Sequence, residues 1–124
     1  MGSNERYELG LAVRRSVLGS DYVDKALSNG GAHSPDFQQL VTELGWGFVW
    51  SREEISKQTR SLITVALLTA INRPRELALH VRGAVNNGCT ETEIREAVIH
   101  CVPYCGIPAA IDAMHVIDET LETT

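Results

Sequence analysis

Helix starts and stops punctuate this chain so closely that little room is left for a sheet. Thr90-Glu91-Thr92-Glu93 is a capping box, in which the Thr90 hydroxyl and the Glu93 carboxylate each satisfy an amide that the first helical turn leaves open. Ser34-Pro35 reads as an N-cap with a first-turn proline, Ser56 as another N-cap and Pro74 as another first-turn proline. Between these signals apolar residues recur at helical spacing rather than alternating in twos.

The spacing predicts a first helix from Asn4 to Leu18 carrying Tyr7, Leu11, Val17 and Leu18, with Gly19 as its stop. A short second helix is expected after a Ser20-Asp21 cap, with Val23, Ala26 and Leu27, ended by Gly30-Gly31. The third opens at Ser34-Pro35, bears an apolar stripe of Phe37, Leu40, Val41 and Leu44, and runs towards Trp46 to Trp50. The fourth, after Ser56, is apolar almost all round from Leu62 to Ile71, which predicts a buried helix. The fifth starts at Pro74 and stops at Asn86-Asn87-Gly88, and the sixth runs from the capping box through Ile94, Ala97, Val98 and Cys101. Pro103 and Gly106 to Pro108 are expected to break the pattern before a last helix from Ala109 to Leu121, striped by Ile111, Met114, Ile117 and Leu121. The fold class is all-α, a helical bundle of about six to seven helices.

A length of 124 residues suits a single domain with one core. Residues 1–4 are expected to be a disordered lead or an expression remnant, and they lack the basic and apolar regions of a signal peptide. A net charge of −5 without a Lys/Arg block argues against nucleic acid and anionic membrane as partners, and there is no apolar run of membrane-spanning length. Three cysteines, Cys89, Cys101 and Cys105, without CxxC spacing fit a reducing compartment, so the cytoplasm is the expected location. The Cys/His spacing supplies no second ligand pair for zinc, and no metal is expected.

The chemistry concentrates in Asn72 to Arg82, where Glu76 and His80 stand four residues apart on one helix face. A carboxylate so placed can hold an imidazole in one tautomer and raise its basicity, although isolated Glu/His pairs are commonly solvated surface features. Arg60, beside Thr59 at the start of the apolar helix, has a guanidinium suited to gripping a carboxylate, with a structural ion pair as the plain alternative. Arg73 and Arg82 compete for that role, and a surface salt bridge is the expected fate of Arg73. Trp46 and Trp50 either wall a water-poor pocket or pack in a core or interface. His115 is a lone helix histidine, Cys101 and Cys105 are four residues apart, and His33 and His100 have no supporting context.

Trp46-Gly47-x-Val49-Trp50-Ser51-Arg52, Thr59-Arg60-Ser61-Leu62-Ile63-Thr64, Arg73-x-x-Glu76-Leu77-x-Leu79-His80-x-Arg82, Asn86-Asn87-Gly88 and Tyr104-Cys105-Gly106-Ile107-Pro108-Ala109-Ala110 stand in one order along the chain. Together they resemble the 4-carboxymuconolactone decarboxylases, from about Arg6 to the C-terminus. The resemblance implies the alkylhydroperoxidase D-like all-helical fold over 1–124, no cofactor, a cytoplasmic homo-oligomer (hexamer or trimer), and a small lactone carboxylate as substrate. It implies decarboxylation of 4-carboxymuconolactone to the enol-lactone of 3-oxoadipate, in the protocatechuate branch of aromatic catabolism. The departing electrons flow through a double bond into the lactone carbonyl, so hydrogen-bond donors and a proton source suffice.

By the same resemblance His80 is the proton donor or oxyanion stabiliser and Glu76 orients it. Arg60, Arg82, Trp46, Phe48, Trp50, Cys105 and His115 are the expected substrate-binding residues. The superfamily's peroxidases carry a CxxC ahead of the helix histidine, where this chain has Arg73 and Glu76, so thiol peroxidase chemistry is not expected. One departure stands out, for the decarboxylases usually place a glutamate between the paired tryptophans and this chain has Phe48. Two alternatives follow: a related lactone or enol-acid decarboxylase or isomerase with a less charged substrate, and a non-catalytic helical oligomer that binds a small acid.

Overall fold

The computed structural model describes residues 1–28 and 34–122, and every regular element among them is helical. The elements are α1 (Ser3–Leu18), α2 (Ser20–Leu27), α3 (Pro35–Val41), a π-helical segment (Thr42–Trp50), α4 (Lys57–Ala70), α5 (Pro74–Asn86), α6 (Glu91–Cys105) and α7 (Ile107–Glu122). The all-α expectation holds. No helix among the described residues is long and apolar enough to cross a membrane. Contacts group the chain into two compact units, Met1–Ile55 and Ser56–Thr124.

In the first unit α1 packs along the π segment. Their backbones approach at two glycines: a Cβ on Gly10 would lie 2.2 Å from the Thr42 carbonyl oxygen, and one on Gly47 would lie 2.3 Å from that of Arg6. Ser3 and Asn4 already belong to α1, so half of the four-residue lead expected to be disordered or an expression remnant is helical. Gly19, at φ 91°, both ends α1 and stands at the N-cap of α2. Ser20 is therefore the first helical residue rather than the expected cap, and the expected Gly30-Gly31 stop lies outside the described residues. Ser34 does cap α3, its hydroxyl accepting from the Phe37 amide at 3.3 Å.

The stripe expected to face inward on the third helix is turned outward. Phe37, Leu40 and Leu44 are exposed, whereas Gln38 and Thr42 are buried. The cause is Arg14 of α1, itself only 5% exposed, whose Nη1 donates to Gln38 Oε1 at 2.9 Å and to Thr42 Oγ1 at 3.1 Å. A buried guanidinium must be given hydrogen-bond acceptors, and that demand outweighs the apolar periodicity of a seven-residue helix.

The second unit is built round Val65, Leu77, Val81, Ile94, Val98 and Ile117. Ser56 caps α4, its hydroxyl accepting from the Thr59 amide at 3.0 Å. Contrary to expectation, α4 is not buried all round: Ser61, Val65 and Thr69 form its inner stripe, while Ile63, Leu67 and Ile71 are exposed. The polar members of that stripe are satisfied, Thr69 by donating to the Val65 carbonyl at 2.8 Å and Ser61 by a 2.9 Å bond with Asn87 Nδ2.

Two reversals of direction are written in the same backbone idiom. At the end of α4 the amide of Asn72 donates to Thr69 and that of Arg73 to Leu68, with Asn72 at φ 56°. At the end of α5 the amide of Gly88 donates to Val85 and that of Cys89 to Ala84, with Gly88 at φ 92°. Both are Schellman closures, which explains why the sequence carries Asn and Gly at these positions.

The capping box of α6 forms as read, with Thr90 N to Glu93 Oε1 at 2.8 Å and Glu93 N to Thr90 Oγ1 at 3.1 Å. Replacing Thr90 by Ala is expected to cost about 1 kcal/mol, measured by urea unfolding. Pro103 does not end α6, contrary to expectation; the helix continues to Cys105 and turns at Gly106, φ 90°. The amide that Pro103 lacks would have served Ile99, a residue half exposed, so water can satisfy that carbonyl. On α7 the inner stripe is Ala110, Ala113, Ile117 and Thr120, so the expected Ile111 faces solvent. Arg95 of α6 ties to α7 through Asp118 at 2.8 Å and to Glu91 at 3.0 Å.

Candidate functional site

His80 sits in the middle of α5, a helix whose start is set by Pro74 and whose inner face is Leu77, Val81 and Ala84. Its position one residue before Val81 leaves the imidazole half-buried at the edge of that apolar face. Burial lowers the imidazole pKa from 6.5 to about 4, and the negative charge of Glu76 opposes this without reversing it. The raised basicity expected from Glu76 is thus corrected: desolvation outweighs an exposed carboxylate whose field is screened by water. At neutral pH His80 is an uncharged imidazole able to donate one N–H.

Arg60 lies in the first turn of α4, half-buried, and Arg82 on α5 is exposed. The structure therefore sets two guanidinium groups on the packed pair α4 and α5, the second of which also carries Glu76 and His80. Arg73 has another task. Its Nη1 donates to the carbonyls of Ile71 at 2.9 Å and Asn72 at 3.3 Å, closing the end of α4. The surface salt bridge expected for it is replaced by this cap, because carbonyls at a helix C-terminus attract a cation.

Cys105 ends α6, half-buried, with its thiol directed at the Gly106 carbonyl at 3.7 Å. Cys101 is buried, donates to the carbonyls of Ala97 and Ala66, and has its thiol pKa raised chiefly by burial, the opposite of an activated thiolate. His115 on α7 is exposed, as is His100, whose ring lies 5.8 Å from that of Tyr104. His33 lies outside the described residues. A surface hollow in this unit is lined by Leu68, Asn72, Arg73, Leu77, Asp112 and Val116 among others, and His80, Glu76, Arg60 and Arg82 lie outside it.

In the first unit Trp46 and Trp50 are buried and tilted against each other, with ring centroids 5.0 Å apart. Phe48, between them in sequence, is 51% exposed and lies under the Arg6 guanidinium at 4.6 Å from the ring centroid. The aromatic ring thus meets the cation with its π face. No group of three or more His, Cys, Asp or Glu poised for a metal is present among the described residues.

The residue that sequence reasoning passed over is Arg14. Nothing in the Ala-Val-Arg-Arg-Ser-Val run distinguishes it from Arg15, which forms a surface pair with Asp24 at 2.7 Å. One signal was available: Arg14 falls four residues after Gly10 and one after Val13, on the inner face of α1.

The family model described as the carboxymuconolactone decarboxylase family matches residues 35–119. A 4-carboxymuconolactone decarboxylase from Acinetobacter baylyi is 42% identical over 122 residues, covering 98% of this chain and 91% of the relative. A nitrosuccinic acid decarboxylase from Metarhizium robertsii is 47% identical over 115 residues, covering 93% of this chain and 80% of the relative. A 4-carboxymuconolactone decarboxylase from Pseudomonas putida matches at 36% identity over 47 residues, 38% of this chain and 98% of that sequence.

Proposed function

The chain belongs to the carboxymuconolactone decarboxylase family, and from that premise we propose that it is a cofactor-independent carboxy-lyase that converts 4-carboxymuconolactone to the enol-lactone of 3-oxoadipate. The observation that carries the reading is near full-length identity of 42% to a relative with that activity in its name. Decarboxylation leaves an electron pair that spreads through the conjugated double bond onto the lactone carbonyl oxygen. His80 supports this step as a neutral imidazole, donating its N–H to the developing oxyanion, where a donor in a partly desolvated place acts most strongly. Glu76 orients the ring, and solvent returns a proton to carbon once CO₂ has left.

Arg60 and Arg82 are the candidate grips for the substrate carboxylates, since a guanidinium can hold both oxygens of one carboxylate. Trp46, Phe48, Trp50, Cys105 and His115 remain the proposed binding residues of the resemblance. We place the enzyme in the cytoplasm, in keeping with its three free cysteines, and as a homo-oligomer. The exposed stripes Phe37, Leu40, Leu44 and Ile63, Leu67, Ile71 support association, because apolar stripes of this kind are usually covered.

Incubation of the purified protein with 4-carboxymuconolactone, reading CO₂ and enol-lactone, tests the reading, and absence of both products overturns it. Nitrosuccinic acid is the second substrate to assay, since the relative named for it is 47% identical. It too places a carboxylate beside an electron-withdrawing group, with an acetate arm on the same carbon. Turnover of nitrosuccinic acid alone would keep the reaction class and replace the substrate.

Phe48→Glu is expected to fold normally, because the ring is half exposed, and to exchange a cation–π contact for an ion pair with Arg6. If position 48 tunes substrate charge, kcat/KM for 4-carboxymuconolactone rises in this variant. An unchanged ratio removes Phe48 from the binding residues.

A further inference from the structure

The turn between α5 and α6 carries a reactive dipeptide. Asn87 is followed by Gly88, whose φ of 92° calls for glycine, and the Gln58 Nε2 of α4 stands 2.8 Å from where a Cβ would be. The Schellman closure thus sets a glycine directly after an asparagine. With no side chain on residue 88, nothing shields the Asn87 amide carbon from the next backbone nitrogen, which is the nucleophile when an asparagine loses ammonia. Asn87 is half-buried and Gly88 exposed, so water reaches the turn.

Three restraints hold the pair short of that reaction. Asn87 Nδ2 donates to Ser61 Oγ at 2.9 Å and to the Lys57 carbonyl at 3.4 Å, both on α4. The Gly88 amide donates to the Val85 carbonyl at 2.9 Å, which holds the proton that must leave before the nitrogen can attack. Ring closure also needs the Gly88 nitrogen to turn towards the Asn87 Cβ, and with ψ at 1° it stands about a third of a turn away. Ser61 is wholly buried, so the bond it accepts is shielded from water. Turning ψ breaks the Val85 bond and swinging the side chain breaks the Ser61 bond, so the end of α5 must open before the reaction starts.

We propose that Asn87 is a deamidation site locked by the fold, with Ser61 as its gate. Once the closure opens, the Gly88 nitrogen gives up its proton and bonds to Asn87 Cγ, the Cγ–Nδ2 bond breaks, and Nδ2 takes a proton and leaves as ammonia. The product is a five-membered succinimide. Water then opens the ring at either carbonyl, leaving aspartate or isoaspartate at position 87. Neither product restores the tie, because a carboxylate has no proton for the Lys57 carbonyl and faces it as a second acceptor. Isoaspartate also lengthens the main chain inside the closure. The first turn of α4, which carries Arg60, then loses its anchor to the end of α5. The inference does not depend on the role of His80 or on the substrate.

The test incubates the full chain near neutral pH, folded and in urea, and follows conversion at Asn87 by peptide mapping, with the Asn29-Gly30 pair in urea as the unrestrained standard. In urea the two asparagines are expected to convert at matching rates, and in the folded chain Asn87 is expected to convert at least about tenfold more slowly than in urea. Ser61→Ala should speed conversion in the folded chain by roughly five- to tenfold, the population change that loss of one hydrogen bond brings. It should also speed hydrogen exchange at the Gly88 amide and not at that of Val98 in the core. Should that variant not fold, wild-type exchange decides: Gly88 exchanging faster than Val98 supports local opening, and equal rates overturn it. Four further results overturn the proposal: no conversion of Asn87 in urea while Asn29 converts, equal Asn87 rates folded and in urea, an unchanged folded-state rate in Ser61→Ala, or equal acceleration of exchange at Gly88 and Val98, which would make Ser61 a contributor to global stability and not a gate.

Discussion

His80→Ala is expected to lower kcat on the lactone by roughly 10²–10³-fold with the fold intact, as loss of one oxyanion donor does elsewhere. The pH profile tells how the histidine works. Its free-enzyme pKa of about 4 means that kcat/KM should rise through pH 4 to a plateau across the neutral range if the neutral imidazole is the active form. If the imidazolium were the acid, kcat/KM would instead fall as pH rises through 4. His80→Gln supplies a neutral N–H donor without a titrating ring and should recover part of the lost activity.

The same group makes stability depend on pH. Because its folded pKa is depressed below 6.5, the unfolded chain binds more protons between about pH 4 and 6.5. Stability is therefore full above 6.5 and falls as pH is lowered through that window, by roughly 3 kcal/mol in all. Urea unfolding at a series of pH values should show this decline in the wild type and a smaller one in His80→Ala. An equal decline in both would show that His80 is not the buried titrating group.

The largest stability effect is expected at the crossing of α1 and the π segment. In Gly10→Ala the new methyl would lie 2.2 Å from the Thr42 carbonyl oxygen and 2.7 Å from the Gly47 amide nitrogen. In Gly47→Ala it would meet the Arg6 carbonyl oxygen at 2.3 Å. These obstacles are backbone atoms, which no rotamer change removes, so the helices must separate. A loss of about 3 kcal/mol or more is expected for each variant, read as a fall in thermal or urea midpoint. Gly45→Ala is the control: it lies in the same segment, its Cβ would meet nothing within 4 Å, and alanine favours helix. If Gly10→Ala were as stable as Gly45→Ala, close backbone approach would not be what holds α1 to the segment.

Local signals in the chain were sufficient for the helices and most of their ends. The Thr90 box, the Ser34 and Ser56 caps, Pro74 and the Gly88 closure all depend on groups within about one helical turn, so their chemistry is legible without tertiary contacts. The placement of Glu76 and His80 on one helix face is of the same kind. The π-helical geometry of residues 42–50 left no comparable mark, because it accompanies the close approach of α1 at Gly47, a contact far away in sequence.

What only the tertiary structure decided is which face of each helix turns inward and what environment each side chain meets. In the third helix periodicity located an apolar stripe but not its direction, since a buried Arg14 drew Gln38 and Thr42 inward, and α4, whose composition predicted burial all round, turned only Ser61, Val65 and Thr69 inward and left Ile63, Leu67 and Ile71 exposed. Glu76 was visible in the sequence as a base-strengthening neighbour of His80, yet the desolvation that overrides it belongs to the packed state. The sequence by itself determined an all-helical chain and the residues available for chemistry. Burial determined the charge of His80, because desolvation is set by everything packed around a group and not by its neighbours along the chain.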